Sequence, residues 1–200
     1  MYKVNETSNS RSCKVIPSTR SGVGYGKKEF LMRFLMATVA YSFFAMFFNF
    51  SVGPVSADTA VDVGAGSSHT CALTSTGGFK CWGDDYYGQT GFGSGSEWHT
   101  PVNVSGLTSG VAAISVGSDH SCALTTAGGV KCWGAGGSGQ MGDGDNETRG
   151  TPVNVAGLSS GVKAIATGAS YSCAIMTKGG LKCWGSGANG KLGNGSTSSA

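Results

Sequence analysis

Six cysteines in this chain recur in pairs, each pair set ten residues apart: Cys71 with Cys81, Cys122 with Cys132, Cys173 with Cys183. Two histidines and a tyrosine (His69, His120, Tyr171) precede the first member of each pair by two positions, and a tryptophan (Trp82, Trp133, Trp184) follows the second directly. Residues of these types support three chemistries: disulfide formation, metal ligation and histidine catalysis. The spacing discriminates among them. Zinc sites usually show two to four residues between paired cysteines, with a second pair or histidines nearby, and nine intervening residues do not resemble that. Tyr171 at the histidine position indicates a hydrogen-bonding aromatic rather than a proton shuttle or a ligand. No catalytic residue, metal or cofactor is expected from this set.

The three clusters are copies of one phrase, HTCALTSTGGFKCWG, HSCALTTAGGVKCWG and YSCAIMTKGGLKCWG, repeated at a period of 51 residues. A fixed period near this length marks propellers, solenoids and similar arrays. In the middle copy, His120 to Thr125 reads as a strand, Thr126-Ala127-Gly128 as a turn and Gly129 to Gly134 as a returning strand. A glycine turn of this kind closes a tight hairpin. Centring the hairpin on Ala127 sets Cys122 opposite Cys132 and Leu124 opposite Val130, on one face. The same register pairs Leu73 with Phe79 and Ile175 with Leu181. Directly opposed strand residues have Cβ atoms about 4.5 to 5.5 Å apart, near what a disulfide needs. Disulfides are therefore expected within each copy, with buried free thiols as the alternative. Each bridge would close an 11-residue loop, worth roughly 2 to 3 kcal/mol in the chain-entropy account. Lys80, Lys131 and Lys182 fall on the opposite face, their stems over apolar surface and their amines in water. The repeating tryptophans are expected to pack between units.

Function is more visible where the copies differ. Asp84-Asp85-Tyr86-Tyr87 stands where the second copy has Ala135-Gly136-Gly137-Ser138 and the third has Ser186-Gly187-Ala188-Asn189. Glu97-Trp98-His99 is likewise without counterparts. Acidic and aromatic residues on a variable loop of a rigid scaffold form a candidate partner-contact surface. The alternative is plain variation of a solvated loop. Asp143-Gly144-Asp145-Asn146-Glu147 faintly resembles a calcium loop but lacks the glycine and closing glutamate of an EF-hand.

Glycine supplies 35 of the 200 residues and charged side chains 12%, against ordinary shares of about 7% and about 25%. The regular recurrence of Trp, Cys and β-branched residues indicates packed strands joined by glycine turns rather than disorder. The net charge of +3 divides unevenly: residues 1–57 carry seven Lys/Arg against two Asp/Glu, and residues 58–200 carry seven against nine. The repeats thus lack a basic footprint for nucleic acid. Residues 1–57 read as a leader, with basic Lys27, Lys28 and Arg33, an apolar core over 34–53 and the small-residue stretch Val55-Ser56-Ala57. This is the layout of a secretory signal cleaved after Ala57, with Met32 a candidate start. The apolar run is also long enough to span a bilayer as a signal-anchor. A buried core helix is the third reading of the run; under the first two, residues 58–200 are exported, secreted or at the cell surface, in a compartment where disulfides persist. Cys13 has no partner and lies in the leader.

The order GSSHTCAL, GFKCWG, GQTGFG, then GSDHSCAL, GVKCWG, GQMGDG, then GASYSCAI, GLKCWG, GKLGNG resembles the repeat of the regulator of chromosome condensation family. Pro101-Val102-Asn103-Val104 and Pro152-Val153-Asn154-Val155 complete the unit. The resemblance implies an all-β chain of propeller blades, four antiparallel strands each, in rings of typically about seven. It covers units 63–113, 114–164 and a partial 165–200, about 2.7 repeats, with 58–62 as linker, and reads as a fragment of a full ring. Three functions follow. The favoured one is an exported, non-catalytic module binding a protein or surface glycan. Guanine-nucleotide exchange on a small GTPase is the activity of the family's best-known member, and secreted enzyme inhibition is a further alternative. The membrane would be engaged only through an uncleaved leader.

Overall fold

The computed structural model describes residues 58–93 and 95–200, so the expectations for the leader, including its apolar core, lie outside the described residues. Among the described residues eleven strands form three antiparallel sheets in sequence order. The first blade contains β1 (Ala60–Ala65), β2 (His69–Thr74), β3 (Phe79–Gly83) and β4 (Trp98–Asn103). The second contains β5 (Val111–Val116), β6 (His120–Thr125), β7 (Val130–Gly134) and β8 (Arg149–Asn154). β9 (Val162–Thr167), β10 (Tyr171–Met176) and β11 (Leu181–Gly185) form the third. β1 begins at Ala60, so the expected linker 58–62 is too long by three residues: Ala60 already pairs with Thr74, and a bulge follows before Asp62 pairs with Leu73.

The hairpin register is the one the sequence implies. Cys71 faces Cys81, Cys122 faces Cys132 and Cys173 faces Cys183, while Leu73–Phe79, Leu124–Val130 and Ile175–Leu181 pair beside them. All three cysteine pairs are disulfides, with Cα atoms 4.1 to 4.2 Å apart. The turn needs glycine at one position: Gly77, Gly128 and Gly179 all have φ between 77° and 90°, a conformation that L side chains rarely adopt. On the opposite face, Lys80 and Lys131 reach across to Asn103 and Asn154 at 2.8 Å. Those lysines therefore tie β3 to β4 in the first blade and β7 to β8 in the second.

β1 packs on β5 and β5 on β9, so the first strand of each blade lies innermost. Two apolar clusters sit between the blades. One joins Leu73, Phe79, Val104 and Leu107 of the first blade to Val111 and Trp133 of the second, with Trp133 edge-on to Phe79 at 5.1 Å. The other repeats the arrangement with Val130, Met141, Val155, Leu158, Val162 and Trp184. A buried polar latch accompanies each cluster. His69 Nε2 meets Ser121 Oγ at 2.9 Å, Ser121 Oγ donates to the Gln89 carbonyl at 3.1 Å, and Trp133 Nε1 donates to that same carbonyl at 3.0 Å. One repeat on, His120, Ser172, Gln140 and Trp184 make the same contacts at 3.0, 3.4 and 3.0 Å. Each latch joins two residues of one blade to two of the next.

Candidate functional site

The histidines of the latch are unsuited to proton transfer. Burial lowers the His69 pKa to about 4, against a smaller opposing effect from Asp84. The same cause, helped by His69 and opposed by the Ala169 carbonyl, brings His120 to about 4. Both imidazoles are neutral near pH 7 and sealed from solvent. Every cysteine among the described residues is disulfide-bonded, and among those residues no cluster of His, Cys, Asp or Glu is placed to hold a metal ion. Among them, too, no helix is long and apolar enough to cross a membrane.

The β3–β4 loop of the first blade departs from the other two. Gly83 ends β3, and Asp84 Oδ1 accepts the Tyr86 amide at 3.2 Å in a tight polar turn. Asp84 Oδ2 accepts Gln89 Nε2 at 2.8 Å and Ser68 Oγ at 3.3 Å, while Gln89 Oε1 accepts the Tyr87 amide at 2.8 Å. Gly88 packs its α-carbon against Gly150 of the second blade, where an added Cβ would lie 2.3 Å from the Gly150 Cα. Close backbone approach of this kind fixes the loop tip on its neighbour.

Asp85 was expected on the contact surface, and the structure corrects this: it is 1% exposed. Its carboxylate accepts the Thr90 amide at 2.9 Å and the Trp98 indole N–H at 3.2 Å. Burial raises its pKa despite these bonds. Asp85 is thus an internal brace that fixes the ring of Trp98. Tyr86 and Tyr87 lie outside, 74% and 40% exposed, and meet edge-to-face at 4.8 Å. Glu97 and His99 are exposed, and Asp84 and Trp98 are half-buried. The loop also presents Phe92, which the sequence reading missed; it is 54% exposed and lies edge-on to Trp98 at 4.8 Å. Phe92 sits inside the repeating motif GQTGFG, yet its counterparts are Asp143 and Asn194. That column was the available signal.

Alignment by the repeat period makes the difference concrete. Phe92 and Trp98 correspond to Asp143 and Arg149, which form an ion pair at 2.7 Å, with Asp145 as a second partner of the guanidinium. One loop position pair therefore holds an aromatic contact in the first blade and a salt bridge in the second. Two cavities lie elsewhere. One of about 860 Å³ borders β11 and includes Leu181, Lys182, Trp184 and Leu192. The other, about 520 Å³, runs beside the innermost strands β1, β5 and β9. Neither is lined by residues 84–87 or 97–99.

Antiparallel sheets of four, four and three strands in sequence order, packed through their innermost strands, define the described part of the chain as β-propeller blades. Two family models, both described as the regulator of chromosome condensation (RCC1) repeat, match it: one at residues 60–89, 111–140 and 162–191, the other at 81–124 and 127–175. The chain belongs to the RCC1-repeat family, whose propellers are typically binding or regulatory modules. It is similar to the human probable E3 ubiquitin-protein ligase HERC4, 37% identical over 141 residues that make up 69% of this chain and 13% of the relative. The human E3 ubiquitin-protein ligase HERC2 is 35% identical over 136 residues, 67% of this chain and 3% of that one. Among solved structures, yeast RCC1 (Prp20) bound to Kap60 has a TM-score of 0.62 at 21% identity, covering 70% of this chain and 35% of that chain. Human WBSCR16 has a TM-score of 0.59 at 25% identity, covering 64% and 33%. The chain spans 13% or less of these two curated relatives and about a third of these solved chains.

Proposed function

We propose that this chain is an exported, non-catalytic RCC1-repeat module that binds a protein or surface ligand through the β3–β4 loop of its first blade. One observation carries the reading: where the other copies have small and polar residues, this loop carries the exposed rings of Tyr86, Tyr87 and Phe92 beside a half-buried Trp98 that a buried carboxylate holds. Three cysteine pairs bridged inside the blades suit an oxidising compartment. The buried neutral histidines and bonded thiols favour a scaffold role over a catalytic one. Guanine-nucleotide exchange draws no support from this loop, and the likeness to yeast RCC1 extends to the fold.

The test uses the full chain expressed with its leader. Secretion into the medium, and mass mapping of unreduced peptides giving Cys71–Cys81, Cys122–Cys132 and Cys173–Cys183, are the expected results. Binding to intact cells or extracellular matrix should be saturable and should fall at least tenfold when residues 85, 86, 87, 92 and 98 are exchanged for those of the second copy. Free thiols throughout, or accelerated nucleotide release from a small GTPase, would overturn the reading.

A further inference from the structure

Charge is distributed along the repeats in a way the total conceals. Residues 58–113 contain one cation, Lys80, against Asp58, Asp62, Asp84, Asp85 and Glu97, whereas residues 165–200 contain three lysines and no acid. Lys80 is occupied by Asn103 at 2.8 Å. In the second blade the corresponding loop neutralises itself, because Arg149 binds both Asp143 and Asp145. In the first blade Trp98 occupies the arginine position. The loop then carries the exposed Glu97 and the half-buried Asp84, whose oxygens are bonded within the loop, together with the exposed rings of Tyr86, Tyr87 and Phe92, and has no Lys or Arg between residues 84 and 99.

We propose that the β3–β4 loop of the first blade receives a cationic segment of a partner protein, whose Lys or Arg side chains lie over these rings with Asp84 and Glu97 at the rim. This rests on the binding reading above and specifies its partner. Ring faces attract ammonium and guanidinium groups, more strongly as the site loses water. The chain itself makes such a contact in the third blade, where Lys191 Nζ stands 5.5 Å from the centre of the Tyr171 ring. Rim carboxylates add steering and make association salt-dependent. Asp85 is a positioning residue here, since it touches Trp98 rather than the partner.

The experiment titrates the full oxidised chain with a twelve-residue Gly/Ser peptide carrying four arginines, its citrulline counterpart, a four-glutamate peptide and a neutral glucan oligosaccharide. Fluorescence polarisation reads the peptides and calorimetry the glucan. The arginine peptide should bind at least about tenfold more tightly than the citrulline one. Raising NaCl from 50 to 500 mM should weaken it by about tenfold. The double variant Phe92→Asp/Trp98→Arg, which installs the second blade's ion pair, should abolish that preference, and Glu97→Gln should reduce the salt dependence. Equal binding of the arginine and citrulline peptides, equal binding by the double variant, or preference for the glucan would each overturn the inference. If cell-surface binding still depended on the loop in that case, the broader binding function would stand and only the cationic partner would fall.

Discussion

Lowering the pH from 7.5 to 5 should weaken this fold through two histidines, and the latch fixes both the sign and the size. Ser121 Oγ lies within hydrogen-bond distance of both His69 Nε2 and the Gln89 carbonyl, so the neutral imidazole is already bonded inside the latch. Ser172 stands in the same relation to His120 and the Gln140 carbonyl. Each Nδ1 is buried without a hydrogen-bond partner, and for His120 the nearby Ala169 carbonyl offsets only part of the cost of charging the buried ring. Both pKa values lie near 4, against 6.5 for an exposed histidine. The unfolded chain therefore takes up protons first as pH falls. Stability is complete above about pH 6.5 and declines toward pH 4. At pH 5 the linkage integral gives about 2 kcal/mol per histidine, and about 4 kcal/mol for the pair. Urea unfolding of the full chain, followed by tryptophan fluorescence at pH 7.5, 6 and 5, measures the slope. His69→Gln/His120→Gln keeps a donor at each position and removes the titration, so its stability should change far less across the range. A flat wild-type curve, or an equal loss in the double variant, would refute the neutral-latch argument.

Ser121→Ala removes the partner of His69 Nε2 and one donor to Gln89 at a fully buried position; chemical unfolding should show a loss of about 1 to 3 kcal/mol. Replacing Cys122 and Cys132 together by serine opens an 11-residue loop, and the midpoint should fall by an amount corresponding to about 2 to 3 kcal/mol. Under limiting reductant, alkylation should label Cys173 and Cys183 first, because they are half-buried whereas the other four are sealed. Asp85→Ala leaves the Thr90 amide and the Trp98 indole without their acceptor. Iodide quenching of fluorescence should rise as Trp98 loosens, with a stability cost of about 1 to 3 kcal/mol; unchanged quenching would show that Asp85 does not hold the ring.

Blade architecture was legible because it depends on local periodicity. The hairpin register follows from a glycine turn and a cysteine pair placed symmetrically about it, so Cys122 could be matched to Cys132 without knowing what packs outside the hairpin. The latch was not legible, because its partners lie in the next copy. Its bonds join residues 52, 32 and 44 positions apart, and its central acceptor is the backbone carbonyl of Gln89, which no side-chain type announces. Asp85 misled for a related reason. Next to Asp84, Tyr86 and Tyr87 it reads as another surface residue. Its partner Trp98, 13 residues on, is also half outside the core. Trp98 and Asp85 both break the repeat, and that joint departure is the mark of a contact between them.

Departures from the repeat accordingly fall into two physical kinds. In the third copy Tyr171 replaces the latch histidine and Lys191 replaces the glutamine. A lysine ammonium cannot accept an amide as Gln89 and Gln140 do from Tyr87 and Ser138 at 2.8 Å. There the turn becomes a short 3-10 segment with Asn189 at φ 62°, and Lys191 moves over the Tyr171 ring. The Asp143–Arg149 pair is a similar case, since both charges are answered inside the chain. Changes that answer one another alter the scaffold and leave nothing for a partner. In the first blade the same test gives a mixed result. Asp85 and Trp98 answer each other and are scaffold by this criterion. Tyr86, Tyr87 and Phe92 keep much of their ring surface in water after their mutual contacts are made. Exposed rings held by an ordered loop lose little conformational entropy when covered, which is why these three, rather than the acidic pair beside them, should dominate the affinity of whatever binds there.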